Sequence, residues 1–442
     1  MYKKWSLNMS TESRNRIIFG APGTGKSFKL NIEALEKFGE ANIERVTFHP
    51  NYTYSQFFGT YKPVSTNIDG KKEISYEFVP GPFLRVLKTN YYIDFILKNI
   101  GDRDVYVAPN NMREWDFFKN ITEKWQTVVW GVNDFSPKKG DFVILHISDT
   151  DKELSIKKDI VPGVYAIGEI ISNVFEENSE RCVELRINDV SFSTPIITEE
   201  EWNTVYPGRL IRFERVVKYK SKLIELLEKK SKRLLIIEEI NRANVAATFG
   251  DVFQLLDRNS VGDSEYPISI SEDVKQYLED NGIDTDTLSI PSNMYIWATM
   301  NSADQGVLPM DAAFKRRWDF EYLGIDEGED TIKDVYIQNG DTKINWNDFR
   351  KELNKKLAVQ LKVNEDKLLG PWFIKADENN LIDNEKFCSK VLMYLYEDVV
   401  KMNPRKLFSN CGEDLRYSEI CKQWKQKGSA IFDISITTEK EE

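Results

Sequence analysis

Residues 19–28 read FGAPGTGKSF, a GxxxxGKS spacing that runs from Gly20 to Ser27. Glycines at Gly20, Gly23 and Gly25 let a backbone turn its N–H groups onto phosphate oxygens, with Ala21, Pro22 and Thr24 completing the cradle. Lys26 would reach the β- and γ-phosphates, and the Ser27 hydroxyl would hold Mg²⁺. The plainer alternative is a loop that only shapes the fold. A second stretch, KRLLIIEEINRAN (232–244), ends an apolar run at two adjacent carboxylates. Glu238 is suited to hold the hydrated Mg²⁺ through a water, being longer than the Asp usual in such sites, and Glu239 to orient and activate an attacking water. Alone, the pair also reads as a strand ending in solvated acids. A third stretch, NMYIWATMNSADQGVLPMDAAFKRRWDFEYL (293–323), places Asn301 at a strand tip, where its amide can position the lytic water, and Asp304 in the polar loop that follows. Arg316 and Arg317 close a short helix that starts at about Asp311. They are suited to meet the γ-phosphate of another subunit, or simply to complement the helix dipole.

Such groups need a frame that brings them together. Ile17 to Phe19, Leu234 to Ile237 and Met294 to Thr299 are continuous apolar runs, as expected of parallel strands buried on both faces. The carboxylates and Asn301 fall at the C-terminal ends of their strands, where an open α/β sheet places its ligand site. Residues 331–442 turn helical: DFRKELNKKLAVQLK and EKFCSKVLMYLYEDVVK carry apolar residues at helical spacing. The final SITTEKEE reads as a frayed, solvated end.

Phosphate loop, acidic strand, asparagine-tipped strand and arginine pair follow one another in the order of parts of an AAA+ ATPase. EEINRAN followed by FGDVFQLLD, then ATMNSADQGVLPMDAAFKRRWDF, resembles the McrB family, AAA+ NTPases that serve modification-dependent DNA restriction. FHPNYTYSQFFGTYKPV (48–64), YEFVPGPFLRVL (76–87) and LLGPWFI (368–374) are similar to further segments of that family, so the resemblance covers about 14–90 and 220–400. It implies an α/β AAA+ core on a parallel sheet with a C-terminal helical lid. It also implies that Gly20 to Ser27 cradle the nucleotide, Glu238 and Glu239 serve Mg²⁺ and water, and Asn301 and Asp304 lie beside the γ-phosphate. Arg316 and Arg317 then act in trans, which requires a homo-oligomeric ring, a hexamer by resemblance. GTP is favoured over ATP, and a separate McrC-like nuclease is the implied partner. Gln305 and Gly306 depart from the Arg and Ser that members often carry.

Between the two halves of this motor lies a stretch, about 90–218, that the family does not need. TVVWGV (127–132), DFVILHIS (141–148), GVYAIGEIIS (163–172) and RCVELRIN (181–188) read as strands separated by turn signals. The order KWQTVVWGVN, KKGDFVILHIS, PGVYAIGEIIS resembles an EVE-like domain of the PUA superfamily, whose members bind modified bases. Reading a modified base in a duplex requires flipping it into a pocket with aromatic stacking and hydrogen bonds to its edge. Trp115, Trp125, Trp130 and Phe135, with Asn133, are the candidates for such a pocket. Core packing is the plainer role for any single tryptophan, and a spacer or oligomer interface is the plainer role for the insert. Lys138, Lys139, Arg209 and Arg212 would supply local positive charge.

The totals fit two to three domains in 442 residues, with 41% hydrophobic and 30% charged residues. A formal charge of −11 argues against coating nucleic acid by bulk attraction. The cysteines, Cys182, Cys388, Cys411 and Cys421, are scattered, and His49 and His146 are the only histidines, so neither a zinc site nor a disulfide framework is expected. With no apolar run near the roughly 18–20 residues that cross a bilayer and no secretory signal, the expected setting is the cytoplasm. No acid–acid–Lys nuclease constellation is visible. The expected organisation is a first part of the AAA+ core at 1–90, an EVE-like reader at 91–218, a second part of the core at 219–330, and a helical lid and tail at 331–442. The expected function is a motor and modified-DNA recognition subunit of a restriction system. An AAA+ remodeller of protein or RNA and a nucleotide-gated binding module stay open.

Overall fold

The computed structural model describes residues 13–68, 71–111, 117–122, 126–149, 161–190, 195–206, 212–216, 218, 220–281, 283, 285–301, 308–436 and 438–440. They divide into two compact units, one drawn from 1–57, 234–253 and 296–442, the other from 58–233 and 254–295. The expected segment 1–90 is thus shared between the units, and 254–295 groups with the central stretch rather than with the strands on either side of it.

The first unit is built on a five-stranded sheet. Its strands are β1 (Asn15–Gly20), β2 (Ile43–Thr47), β3 (Arg233–Glu238), β4 (Met294–Asn301) and β5 (Asp319–Tyr322), in the order β5-β1-β4-β3-β2. β1 runs parallel to both β4 and β5, and β3 runs parallel to β2. Ile17, Ile18, Leu234 to Ile237 and Met294 to Ala298 are all buried, so the three apolar runs do form the middle of the sheet. Helix α1 (Lys26–Phe38) follows the phosphate loop and buries Leu30, Ala34 and Phe38, spaced four apart on one face. The C-terminal part packs around Trp346, Phe349, Phe387, Trp424 and Phe432, with the Phe387 and Trp424 rings stacked at 4.2 Å. The expected helical stretches are helix Trp346–Lys355, continued by a wider π turn to Gln360, and Asn384–Phe387, continued by π turns. Helicity is not the whole of it. A small sheet joins Tyr336–Asn339 to Thr342–Asn345 and Leu381–Ile382, and Thr438–Lys440 of the tail pairs with Thr342–Ile344. Backbone hydrogen bonding to that exposed edge orders a polar segment whose composition alone reads as a frayed end.

The second unit carries an eight-stranded sheet. The expected strands appear as Thr127–Gly131, Phe142–Asp149, Gly163–Ile170 and Glu180–Val190. Val105–Asn111 adds a further strand, parallel to Phe142–Asp149 and next to the short edge strand Glu214–Arg215, hidden in the sequence by its APNN ending. Side chains alternate between two covered faces. Val143, Leu145, Leu185 and Ile187 pack on one, Phe142, Ile144 and Val164 on the other with Trp202 of helix Glu199–Val205.

His146 lies in this second unit and is only 2% exposed, with Nε2 2.7 Å from Glu199 Oε2. Burial lowers its pKa below the ordinary imidazole value, outweighing the attraction of the Glu199 carboxylate. The folded chain then holds the neutral ring while the unfolded chain takes up a proton below about pH 6.5. Stability contributed above that pH is lost as pH falls toward the lower folded value, with a slope of at most about 1.4 kcal/mol per pH unit. Unfolding followed from pH 8 to pH 5 should show this loss, and His146→Gln should flatten it.

Candidate active site

The strand order decides which side chains meet. β4 lies between β1 and β3, so Asn301, paired in register with Gly20, stands between the phosphate loop and the acidic pair. In the loop, Thr24 Oγ1 donates to Ala21 O at 2.9 Å. The Lys26 ammonium, 7% exposed, donates to Gly20 O at 3.0 Å and Ala21 O at 2.8 Å. Gly23 and Gly25 have φ of 77° and 83°, conformations that favour glycine.

Glu238 ends β3, and its carboxylate is held on both oxygens. Ser27 Oγ donates to Oε2 at 2.8 Å, Thr299 Oγ1 donates to the same oxygen, and the Arg45 guanidinium pairs with Oε1. Glu239 follows in a left-handed conformation, φ 57° and ψ 47°. Its N–H donates to Thr299 Oγ1 at 3.2 Å, and its Oε1 accepts from Asn301 Nδ2 at 2.7 Å. Asn241, 4% exposed, donates from Nδ2 to Asn301 O at 2.7 Å and so steadies the strand tip. Lys26 and Ser27, at the start of α1, and Glu238, Glu239 and Asn301 therefore gather at the C-terminal end of one sheet. Asp304, with Gln305 and Gly306, lies outside the described residues.

A hydroxyl beside a carboxylate oxygen is a donor set suited to a hard divalent cation such as Mg²⁺, which takes few protein ligands and completes its shell with water and substrate phosphates. Among the described residues no cluster of three or more His, Cys, Asp or Glu forms a metal cage. Ser27 and Glu238 are the residues that would hold the cation.

The two arginines part company. Arg317 folds onto its own unit, its guanidinium 4.0 Å above the Phe253 ring with Nη1 donating to Ala313 O at 2.7 Å. Arg316 is exposed at the end of the short helix Ala312–Lys315, which Asp311 caps by accepting from Phe314 N.

In the second unit Trp130 is half-buried and packs against the sheet face that carries Tyr106 and Phe213. Phe135 lies 6.1 Å from the Tyr106 ring and 6.0 Å from Phe213. Asn133 is exposed with φ 49°, and Arg181 bridges its carbonyl and Ser136 Oγ. Lys138, Lys139 and Arg212 are exposed, while Trp115, Trp125 and Arg209 lie outside the described residues.

The sequence alone does not single out Thr299, Arg45 or Asn241. Thr299 sits inside the quoted ATMN, but its hydroxyl matters only because β4 borders β3. Arg45 gives no sequence signal, being one cation on a short polar strand.

Residues 201–318 match the model of the AAA domain, dynein-related subfamily. The chain is 34% identical over 446 aligned residues to the YdiS component of the type II restriction enzyme BsuMI from Bacillus subtilis, an alignment covering 95% of this chain and 89% of that protein. It is also 35% identical over 101 residues to the EcoKMcrB subunit of a type IV methyl-directed restriction enzyme from Escherichia coli, covering 23% of this chain and 19% of that protein. Among the described residues no helix is long and apolar enough to cross a membrane. With a phosphate loop, an acidic pair and an asparagine tip on one parallel sheet, and a relative matched along nearly all of its length, the chain belongs to the McrB-like family of AAA+ NTPases.

Proposed function

We propose that this chain is the nucleotide-hydrolysing motor of a DNA restriction system, using GTP or ATP with Mg²⁺ and working with a separate McrC-like nuclease. The observation that carries this is the Ser27–Glu238 and Glu239–Asn301 pairing at 2.8 Å and 2.7 Å, which ties the first turn of α1 to the ends of β3 and β4, in a chain similar over 95% of its length to a restriction-enzyme component. Lys26 binds the β- and γ-phosphates. Mg²⁺, when bound by Ser27 and Glu238, neutralises phosphate charge. Glu239 takes the proton of the attacking water, and Asn301 holds the Glu239 carboxylate in place. Arg316 meets the nucleotide of an adjacent copy in a ring, most simply a hexamer. The β-rich second unit is an EVE-like reader in which Trp130, Asn133 and Phe135, with Trp115 and Trp125, bind a flipped modified base.

A second reading of the target has its own support. The relative matched along its length is named for a type II enzyme, and only the partial match is named methyl-directed. On that reading the second unit binds DNA without regard to modification. Duplexes that are unmodified, cytosine-modified or adenine-methylated separate the two: preference for one modified duplex supports the base reader, and equal binding to all removes it. Turnover of GTP and ATP, with and without the candidate nuclease, tests the motor. No turnover of either triphosphate under any condition would overturn it.

A further inference from the structure

The segment Gly370–Phe373 lies directly on the phosphate loop. Gly370 N donates to Pro22 O at 3.0 Å and Trp372 N donates to Gly23 O at 2.8 Å. The backbones touch: a Cβ on Gly370 would sit 2.3 Å from the Gly23 carbonyl carbon, and one on Gly23 would sit 2.4 Å from Phe373 Cα. The segment is held firmly from behind. Trp346 Nε1 donates to Pro371 O at 2.8 Å, and Asn354 exchanges two hydrogen bonds with the Leu369 backbone, each 2.9 Å. Arg350, whose side chain is 0% exposed, pairs with Asp326 and Glu329 and donates to Ile325 O and Leu369 O. A fully buried guanidinium satisfied this completely fixes the elements it joins, because leaving any partner unpaired is costly.

What this clasp delivers to the loop is the Trp372 ring. A Cβ on Gly25 would meet that ring at 2.7 Å and one on Gly328 at 2.0 Å, so two glycines make the slot it fills. Phe28, in the first turn of α1 and next to Ser27, has its ring centroid 6.5 Å from that of Trp372, tilted by 38°, and is 60% exposed. The N-terminus of α1, a ready phosphate site, is the same first turn that carries Phe28. Flat heterocycles stack well on aromatic faces.

Resting on the nucleotide-site reading above, we propose that Phe28 and Trp372 form an aromatic wall for the base of a purine nucleoside triphosphate, with Arg350, Asn354 and Gly328 as the positioning residues that set the Trp372 ring. Calorimetry on the full chain in excess Mg²⁺, with ATP, GTP and inorganic tripolyphosphate as ligands, tests it, because tripolyphosphate fills the loop without a base. Phe28→Ala and Trp372→Ala should weaken the better-bound nucleotide at least about fivefold while changing tripolyphosphate less than about twofold. Trp372→Phe should restore most of the nucleotide affinity. Gly328→Ala, which displaces the ring without altering it, should repeat the selective loss. Equal weakening of nucleotide and tripolyphosphate would make Trp372 a support of the loop and overturn the proposal. So would unchanged nucleotide affinity in both alanine variants, and Phe28 is exposed enough that its variant will fold. Lys26→Ala is the separate control: if it leaves both ligands bound as before, the phosphate-loop reading itself fails.

Discussion

Glu239→Gln is expected to lower nucleotide turnover by about 10²- to 10⁴-fold, the range spanned by a positioned general base. The substitution is nearly isosteric. Glu239 Oε1 accepts from Asn301 Nδ2 at 2.7 Å, and a glutamine carbonyl accepts there equally well. The backbone N–H bond to Thr299 Oγ1 does not involve the side chain. What is lost is the ability to take a proton, together with the charge that faces Arg242 at 3.8 Å. The conformation of Glu239 supports a role that cannot move to a neighbour. A non-glycine residue at φ 57° costs about 1–2 kcal/mol, and strain of this kind is tolerated where it aims a working side chain. Nucleotide affinity should stay within about threefold and the unfolding midpoint within a few degrees, because packing is unchanged and the partly exposed Arg242–Glu239 ion pair, 3.8 Å apart, contributes little. Steady-state phosphate release alongside equilibrium nucleotide binding checks all three quantities. Turnover within about fivefold of the parent would remove Glu239 as the base.

What was legible in the sequence was what is local. The runs at Ile17, Leu234 and Met294 declare buried strands because both faces of each strand are covered, and the loop declares itself through consecutive residues. The convergence of Lys26, Glu238, Glu239 and Asn301 follows from motif order and resemblance. Its cause, β4 placed between β1 and β3, is a lateral relation that no single stretch encodes. Thr299, which donates to Glu238 and accepts from the Glu239 backbone, is invisible for that reason, and so is Arg45, 193 positions from the carboxylate it pairs with. The same holds for Trp372. LLGPWFI could be matched to a lid segment, but that its glycine backbone and Trp372 ring rest on Pro22, Gly23 and Gly25 depends on close approach of backbones remote in the chain. In the second unit the alternating strands were readable, whereas Val105–Asn111 was not, since proline and asparagines suppress the strand signal that its pairing along Phe142–Asp149 overrides.

The arginine pair gives the sharpest test of assembly, because the structure separates two residues that the sequence presents as equals. Arg317 already has work inside its own unit, stacked on Phe253 and bonded to Ala313 O, so Arg317→Ala should cost about 1 kcal/mol of stability and change turnover less than about tenfold. Arg316 is exposed, with no ring contact or side-chain hydrogen bond of that kind among the described residues, so Arg316→Ala should leave folding unchanged. If it meets a neighbour's γ-phosphate, its loss should lower turnover by about 10³- to 10⁵-fold with little change in nucleotide affinity. Mixing distinguishes action in trans from action within one copy. Lys26→Ala chains cannot use their own loop but still present Arg316, and Arg316→Ala chains have an intact loop but no arginine to offer. Each should be inactive alone. An equal mixture should recover about a quarter of the parent turnover, since half the loops are intact and random closure of a ring sets half of those against an intact arginine. Recovery requires that one copy complete the site of another. A mixture as inactive as its parts, with both variants folded and assembled, would place Arg316 in the service of its own subunit and remove the ring from the catalytic argument.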